Sequence, residues 1–146
     1  MIHEEICTYE VCKLAKEKGF PQQYDSLTHI YGGKDSFNVG IDLKYKKCEG
    51  TLFNISEWSP CLNDVADPTQ SLLQRWLRDN HKADVWVETA ATMATKNQRC
   101  YYWHIAYDSD GSCIYVLDSM LSHSTYEKAL EEGLKEAIIE FVEEKR

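Results

Sequence analysis

The residues best suited to chemistry in this sequence are a cysteine and a histidine on one predicted strand. Cys100 and His104 lie four residues apart in the stretch CYYWHIAYD, and Cys113 lies on the next predicted strand. A thiolate beside an imidazole is a pair that nucleophilic catalysis uses. Residues four apart on a strand share a face but lie about 13 Å apart along it, too far for a hydrogen bond. This spacing favours cysteines that act as small buried hydrophobes. The alternative is an enzyme or small-ligand binder with a Cys/His-containing pocket.

Metal and cofactor sites lack their usual patterns. Among the six cysteines, Cys7 and Cys12 are the closest pair, and five residues is off-register for two ligands on one helical face. Asp108, Asp110 and Asp118 lack the twelve-residue calcium loop with its closing glutamate. The sequence also has no glycine-rich phosphate loop, no G-x-S-x-G and no H-E-x-x-H. We therefore predict no catalytic residue, no metal ligand and no cofactor.

An aromatic sheet face is the feature that most suggests a site. If Val85 and Ile105 face the helices, strand alternation places Trp86, Tyr102 and His104 together on the opposite face. A bare aromatic patch of this kind usually marks a partner site. Alternatively, residues 1–61 fold over it, because they need an apolar surface to pack on. The second interpretation is favoured, and it predicts that the Trp86 side chain is shielded.

Composition and charge exclude several function classes. The net charge of −8 and the pI near 5.1 disfavour nucleic acid, which basic residues bind through phosphate. No apolar run approaches the roughly 20 residues that span a bilayer. The first residues, MIHEEICTYE, are acidic and lack the features of a signal peptide. We expect a cytoplasmic protein that binds neither nucleic acid nor membrane, and whose partner, if it has one, is another protein.

The first half of the chain reads as a helix followed by short strands. TYEVCKLAKEKGF predicts a helix that Thr8 caps and Gly19 ends. The alternating runs Leu27–Tyr31 and Phe37–Tyr45 predict a β-hairpin, and Leu52–Ile55 predicts a further strand. The stretch EWSPCLNDVADP that follows is expected to be a loop.

The second half has stronger periodicity. Asp67 is predicted to cap a helix that has Pro68 at its first position. Its apolar stripe contains Leu72, Leu73, Trp76 and Leu77. The segments ADVWVETAA, CYYWHIAYD and CIYVLDS predict three strands, with a tight turn at DSDG between the last two.

The last helix is predicted to begin with a capping box formed by Ser124 and Glu127. Its apolar face comprises Tyr126, Ala129, Leu130, Leu134, Ala137, Ile138 and Phe141. Gly133 falls on that face, which indicates a close approach of another backbone. The strand and helix patterns predict a core shared by Leu73, Trp76, Leu77, Leu130, Leu134, Ile138 and Phe141.

Together these elements predict an α+β fold with a mainly antiparallel sheet and three principal helices. The chain is expected to form a single domain, residues 1–146, in which 1–61 hold a helix and a probable hairpin and 67–146 run helix, three strands, helix. The latter order also occurs in double-stranded-RNA-binding domains. Those domains carry lysines where this last helix has Glu127, Glu131 and Glu132, so the binding chemistry is missing.

Three sequence blocks carry a closer resemblance: YEVCKLAKEKGF, DPTQSLLQRWLRDNHKADVWV and TYEKALEEGLKEAI. They resemble a family of small uncharacterised proteins of Bacteroides-type bacteria and their phages, whose members read A-P-T-x-x-x-x-x-x-W-L-R-x-x-H and later Y-E-x-A-x-x-x-x-L. The matching residues are Pro68, Thr69, Trp76, Leu77, Arg78, His81, Tyr126, Glu127 and Ala129. Asp67 stands where that family usually has alanine. The resemblance implies a phage or mobile-element origin but carries no known activity. The absence of catalytic motifs, the acidic composition and the aromatic face favour a non-catalytic protein-interaction or accessory module.

Overall fold

Two sets of mutually packed elements make up the structure, which is a computed structural model. It describes residues 5–22, 29–32, 37–39, 45–47, 49–54, 65–91, 99–108 and 114–142. One set, here the N-terminal unit, comprises Ile6–Thr69, and the other, the C-terminal unit, comprises Met1–Glu5 and Gln70–Arg146. The expectation of one domain over residues 1–146 stays a prediction.

Helix α1 (Tyr9–Glu17) opens the N-terminal unit and follows the predicted capping pattern. The Thr8 hydroxyl accepts a hydrogen bond from the Val11 N–H, as an N-cap does. Gly19 ends the helix at φ 99°, a left-handed conformation that suits glycine. The Phe20 N–H then donates to the Ala15 carbonyl, and the Phe20 ring is buried. The predicted helix and both of its ends are therefore confirmed.

Five short strands complete the N-terminal unit: β1 (His29–Tyr31), β2 (Phe37–Val39), β3 (Tyr45–Lys47), β4 (Leu52–Asn54) and β5 (Val65–Asp67). They pair antiparallel in the order β4-β1-β5, while β2 pairs with β3. The predicted hairpin between the runs 27–31 and 37–45 is therefore wrong. Strand β1 lies at the centre of a sheet, where both of its backbone edges are paired by segments more distant along the chain. The predicted third strand is confirmed as β4.

Strand β5 contradicts the last part of the predicted loop EWSPCLNDVADP and the predicted cap of the next helix. Residues 57–64 of that stretch lie outside the described residues. Asp67 pairs with His29 across the sheet and is 2% exposed. Its carboxylate accepts a hydrogen bond from the Cys12 thiol at 3.2 Å, and its backbone belongs to the strand rather than to the helix start. That helix, α2 (Gln70–His81), begins three residues later than Asp67.

The C-terminal unit contains α2, β6 (Ala83–Ala91), β7 (Arg99–Asp108), β8 (Ile114–Asp118) and α3 (Tyr126–Phe141). The three strands pair antiparallel in the order β6-β7-β8. All three predicted strands are confirmed, and so is the α+β class with three helices and mainly antiparallel pairing. The predicted turn at DSDG lies outside the described residues.

Helix α3 begins one residue later than predicted. Its N-cap is Thr125, whose hydroxyl accepts a hydrogen bond from the Lys128 N–H at 3.1 Å. The predicted box at Ser124 is therefore wrong by one position. Both residues carry a hydroxyl, and a sequence pattern cannot separate two such neighbours.

The core of the C-terminal unit lies between one face of its sheet and the two helices. Six of the seven predicted core residues are buried: Leu73, Trp76, Leu77, Leu130, Leu134 and Ile138. Phe141 is half-buried and stacks on Tyr107, with ring centroids 4.5 Å apart. Tyr126, which was expected on the buried face, is instead 43% exposed because it lies in the first turn, next to Tyr101.

Gly133 allows the closest packing of α3 on the sheet. A Cβ atom at this position would lie 2.8 Å from the Cβ of Trp103 and 2.9 Å from the Cγ1 of Val85. The predicted lack of room for a side chain is confirmed, but the nearest atoms belong to strand side chains, so the predicted approach of another backbone is wrong. No helix among the described residues is long and apolar enough to cross a membrane.

Candidate interaction face

The sheet of the C-terminal unit has a second face, opposite the helices. Val85 is fully buried against the helices, whereas its neighbour Trp86 is 39% exposed, as alternation along a strand requires. We call this second side the outer face. Its residues are Asp84, Trp86, Glu88, Ala90, Cys100, Tyr102, His104, Ala106, Asp108, Val116 and Asp118.

Trp86 and His104 form the centre of the outer face. They are direct cross-strand partners on β6 and β7. Their rings stack with centroids 5.3 Å apart and an interplanar angle of 23°. The structure therefore brings together two of the three predicted site residues, and Tyr102 lies on the same face, opposite Glu88.

Two carboxylates flank the His104 ring. Its Nδ1 lies 2.5 Å from Asp118 Oδ1 with hydrogen-bond geometry, and its Nε2 lies 2.8 Å from Glu88 Oε2 at ion-pair distance. The imidazole is mostly buried, while both carboxylate side chains are more than half exposed. Nδ1 is bonded to Asp118, and Nε2 is buried beside Glu88 without a hydrogen-bond partner among the described residues. The imidazole therefore faces carboxylates and not a thiol.

The outer face carries negative charge only. At the outward positions of the three described strands, the full charges are those of Asp84, Glu88, Asp108 and Asp118, and none of these positions holds lysine or arginine. An anionic surface attracts cations and repels phosphate groups. This sign limits the kind of ligand that can bind here.

Exposed apolar side chains extend the outer face beyond Trp86. Val116 on β8 is 49% exposed. Just after β8, Met120 and Leu121 are 95% and 77% exposed. Exposure of large apolar side chains at neighbouring positions is typical of binding surfaces.

Met120 and Leu121 lie where the pairing of β7 with the following segment is interrupted. The Ser119 N–H donates to the Trp103 carbonyl at 2.9 Å, and His123 exchanges two backbone hydrogen bonds with Tyr101. Residues 120–122 thus stand opposite the single residue 102, which makes this segment a bulge. Sequence analysis missed Val116, Met120 and Leu121. One feature of the sequence could have indicated them: Met120 and Leu121 are two adjacent apolar residues in the short connection between a predicted strand and a predicted helix, where neither element buries them.

The predicted shielding of Trp86 is wrong. It rested on the need of residues 1–61 for an apolar surface. The N-terminal unit buries its own apolar side chains, among them Val11, Ala15, Phe20, Ile30, Val65 and Ala66. The N-terminal residues therefore have apolar neighbours within their own unit, and Trp86 stays 39% exposed.

The alternative Cys/His site is not assembled in the described residues. The strand register places Cys100 opposite Ala90 and His104 opposite Trp86. Cys100 is a half-buried free thiol, and Cys113 lies outside the described residues, as does Asp110. In the described part of the chain, no group of three His, Cys, Asp or Glu side chains is arranged to hold a metal ion.

A groove at the first turns of α2 and α3 is also unsuited to thiol chemistry. Its lining residues are Glu5, Gln70, Ser71, Gln74, Tyr126, Glu127 and Leu130, which include neither cysteine nor histidine. The Gln70 amide donates across it to the Glu127 carbonyl and to Glu131 Oε2. These bonds join the two helices, which gives the groove a structural role.

The cysteines that do meet lie in the N-terminal unit. Cys7 and Cys12 are fully buried and share a hydrogen bond. Cys7 precedes α1. The two cysteines therefore do not lie on one helix, and their spacing of five residues does not keep their side chains apart. The bond with Cys7, burial and the charge of Asp67 all raise the pKa of the Cys12 thiol far above its ordinary value. A thiol that resists ionisation is a poor nucleophile, so this cluster is structural.

Comparison of the chain with protein-family models, with curated proteins and with solved structures gives no match.

Proposed function

We propose that this protein is a non-catalytic protein-interaction module and that its outer face binds a protein partner. The exposure of Trp86, at 39%, is the observation that carries the proposal. Tryptophan is enriched among residues that dominate binding energy, and leaving an indole in water is unfavourable. Val116 adds exposed apolar surface to the same face, and Met120 and Leu121, just after β8, are exposed as well.

The contacts of His104 support binding over catalysis. A general base needs a ring nitrogen that can reach the group it deprotonates. Asp118 and Glu88 stand at both ring nitrogens of His104. Cys100 is four residues away on the same strand, which leaves the Cys/His pocket without a pair.

We also propose a cytoplasmic location and a phage or mobile-element origin. Cys7, Cys12 and Cys100 are free thiols, which suits a reducing compartment. The origin follows from the resemblance of the three sequence blocks, above all the W-L-R-x-x-H segment at Trp76–His81.

Site-specific photo-crosslinking tests the interaction proposal. A photoreactive residue placed at Tyr102 should crosslink to a discrete partner, and excess unlabelled protein should suppress the product. The same residue at Glu140, exposed on α3, should give no such product. Trp86→Ala should weaken the crosslink from Tyr102, whereas Ile139→Ala should not. Ile139 is 47% exposed, so it is matched to Trp86 in exposure but lies on α3.

The reactivity of the Cys100 thiol distinguishes the proposed interaction module from the enzyme alternative. A catalytic Cys100 would react with iodoacetamide at neutral pH faster than a free cysteine does, because its thiolate would be stabilised. We expect slower reaction, since the thiol is half-buried. Fast modification of Cys100 together with crosslinks that do not depend on Trp86 would overturn the proposal.

A further inference from the structure

We propose that the segment recognised by the outer face is basic, and that one of its lysine or arginine side chains docks on the exposed part of the Trp86 ring, next to the carboxylates of Glu88 and Asp118. This inference rests on the proposed function and names the chemistry of the partner. Its starting point is the sign of the charges: every full charge at the outward positions of the described strands is a carboxylate. A partner with acidic groups would meet repulsion across this surface.

The position of Trp86 among these carboxylates favours a cation over a neutral apolar ligand. Indole is the side chain that attracts cations most strongly through its ring face. Glu88 lies two residues farther along β6, on the same side and about 7 Å away along the strand. Asp118 lies in the same cross-strand row as Trp86, with His104 between them.

His104 positions the Asp118 carboxylate and lies against that of Glu88. Each of them faces the imidazole with one oxygen, at 2.5 Å for Asp118 and 2.8 Å for Glu88. Both carboxylate side chains nevertheless remain more than half exposed. A positioned carboxylate loses less freedom when it binds a guanidinium or an ammonium group, so the hydrogen bond with His104 preorganises Asp118.

The apolar residues next to the acidic pair define the rest of the segment. Val116 precedes Asp118 by two residues on β8, and Met120 and Leu121 follow it. A cation alone would leave this surface in water. The segment that fits therefore combines basic and apolar side chains, in alternation if it binds in an extended conformation.

Synthetic peptides test the inference directly. Three fluorescently labelled peptides of about ten residues alternate leucine with arginine, glutamine or glutamate, and each is titrated with the full chain at about 150 mM salt. We expect the arginine peptide to bind at least about ten-fold more tightly than the glutamine peptide, because its bonds to carboxylates are charge-assisted. The glutamate peptide should not bind.

Two double variants separate recognition from bulk charge. Glu88→Gln with Asp118→Asn should weaken arginine-peptide binding about ten-fold. Glu132→Gln with Glu140→Gln removes the same number of charges from exposed positions on α3 and should change binding by less than about two-fold, because salt screens distant charges. Equal losses in the two double variants would show that attraction to net charge alone is responsible, which would overturn the inference.

The remaining outcomes distinguish the inference from the proposed function. If the glutamine peptide binds as tightly as the arginine peptide and Trp86→Ala abolishes both, the partner is not basic but the interaction face stands. If no peptide binds, or if the chain binds anionic vesicles or duplex DNA through Trp86, the basic-segment inference is wrong. If Trp86→Ala and Ile139→Ala are equivalent both for every peptide and for the crosslink from Tyr102, the interaction face itself is wrong.

Discussion

Asp67 of the N-terminal unit and the pair Glu88 and Asp118 of the C-terminal unit lie in opposite environments. In the N-terminal unit, Asp67 is 2% exposed and accepts a hydrogen bond from the buried Cys12 thiol. In the C-terminal unit, Glu88 and Asp118 lie on the outer face and are more than half exposed. A buried carboxylate must be hydrogen-bonded to be tolerated, and its contacts serve the fold. A carboxylate that is held in place but exposed to water can still bind a ligand. The exposure of these carboxylates, more than their residue type, therefore distinguishes those that stabilise the fold from those that could bind a partner.

The cores of the two units differ accordingly. The sheet–helix core of the C-terminal unit is built from aliphatic and aromatic side chains, including Val85, Ile105 and Leu134, each with no exposed surface. The core of the N-terminal unit contains a thiol pair and a carboxylate beside its apolar residues. Packing should therefore control the stability of the C-terminal unit. In the N-terminal unit, the protonation of the thiol should also contribute to stability.

The largest expected effect is the loss of packing at Trp76. Its ring is 5% exposed and contacts His81 edge-on, with centroids 4.5 Å apart. Trp76→Ala should lower the free energy of unfolding by about 3–5 kcal/mol. Urea unfolding followed by far-UV circular dichroism measures this loss. The matched variant is Trp86→Ala, which should cost less than about 1 kcal/mol, and equal losses would contradict the assignment of core and outer face.

Gly133→Ala tests how tightly α3 packs on the sheet. The added methyl group would lie under 3 Å from the Cβ of Trp103 and from Val85, and such overpacking costs about 1–3 kcal/mol. Alanine improves helix propensity by up to about 1 kcal/mol, so we expect a net destabilisation of about 1–2 kcal/mol. Glu132→Ala, at an exposed position of the same helix, should stay within about 0.5 kcal/mol of the parent. A stabilised Gly133→Ala variant would show that the contact is loose.

In the N-terminal unit the corresponding test is alkaline pH. Below the ordinary thiol pKa of 9.0, Cys12 is protonated in both the folded and the unfolded chain, so it adds no pH dependence. Above that value the unfolded chain releases the proton and the folded chain keeps it. The free energy of unfolding must then fall as the pH rises.

The Cys12 contribution should approach about 1 kcal/mol between pH 8 and about pH 9.5. Burial and the nearby Glu49 also raise the pKa of Tyr9, but its ordinary value is 10.0, so it contributes at higher pH. Urea midpoints in the presence of reductant give the slope. Cys12→Ala should flatten it and Cys100→Ala should not. An unchanged slope in Cys12→Ala would mean that other groups cause the alkaline loss.

The same contrast explains which parts of the fold could be predicted. Strand β6 was predicted to the residue, Ala83–Ala91, since nine alternating residues give a clear period and its partner β7 comes next in the chain. The three residues of β1 carry too little pattern, and their partners β4 and β5 are chosen by tertiary contacts. The bond between Cys12 and Asp67 joins residues 55 apart, which no local pattern encodes.

The candidate site was predicted only in part, because local periodicity determines some of its residues and tertiary pairing determines the others. Alternation placed Trp86 and His104 on one face, and the structure confirms that placement. Asp118 joins them through the β7–β8 register, whereas the sequence only raised, and then disfavoured, a calcium-binding role for it. The exposure of Trp86 depends on how residues 6–69 satisfy their own core, which the sequence left open.

The smallest expected effects come from the helix caps, which occur in both units with the same chemistry. Thr125 accepts from the Lys128 N–H at 3.1 Å, and Thr8 accepts from the Val11 N–H at 3.5 Å. Loss of a threonine cap costs about 0.5–2 kcal/mol, and a longer hydrogen bond contributes less. Thr125→Ala should therefore destabilise by about 1 kcal/mol and Thr8→Ala by about half as much, both measured as shifts of the urea midpoint. Ser124→Ala is the control: it should have almost no effect if Thr125 is the cap, and it should exceed Thr125→Ala if the sequence-based position was right after all.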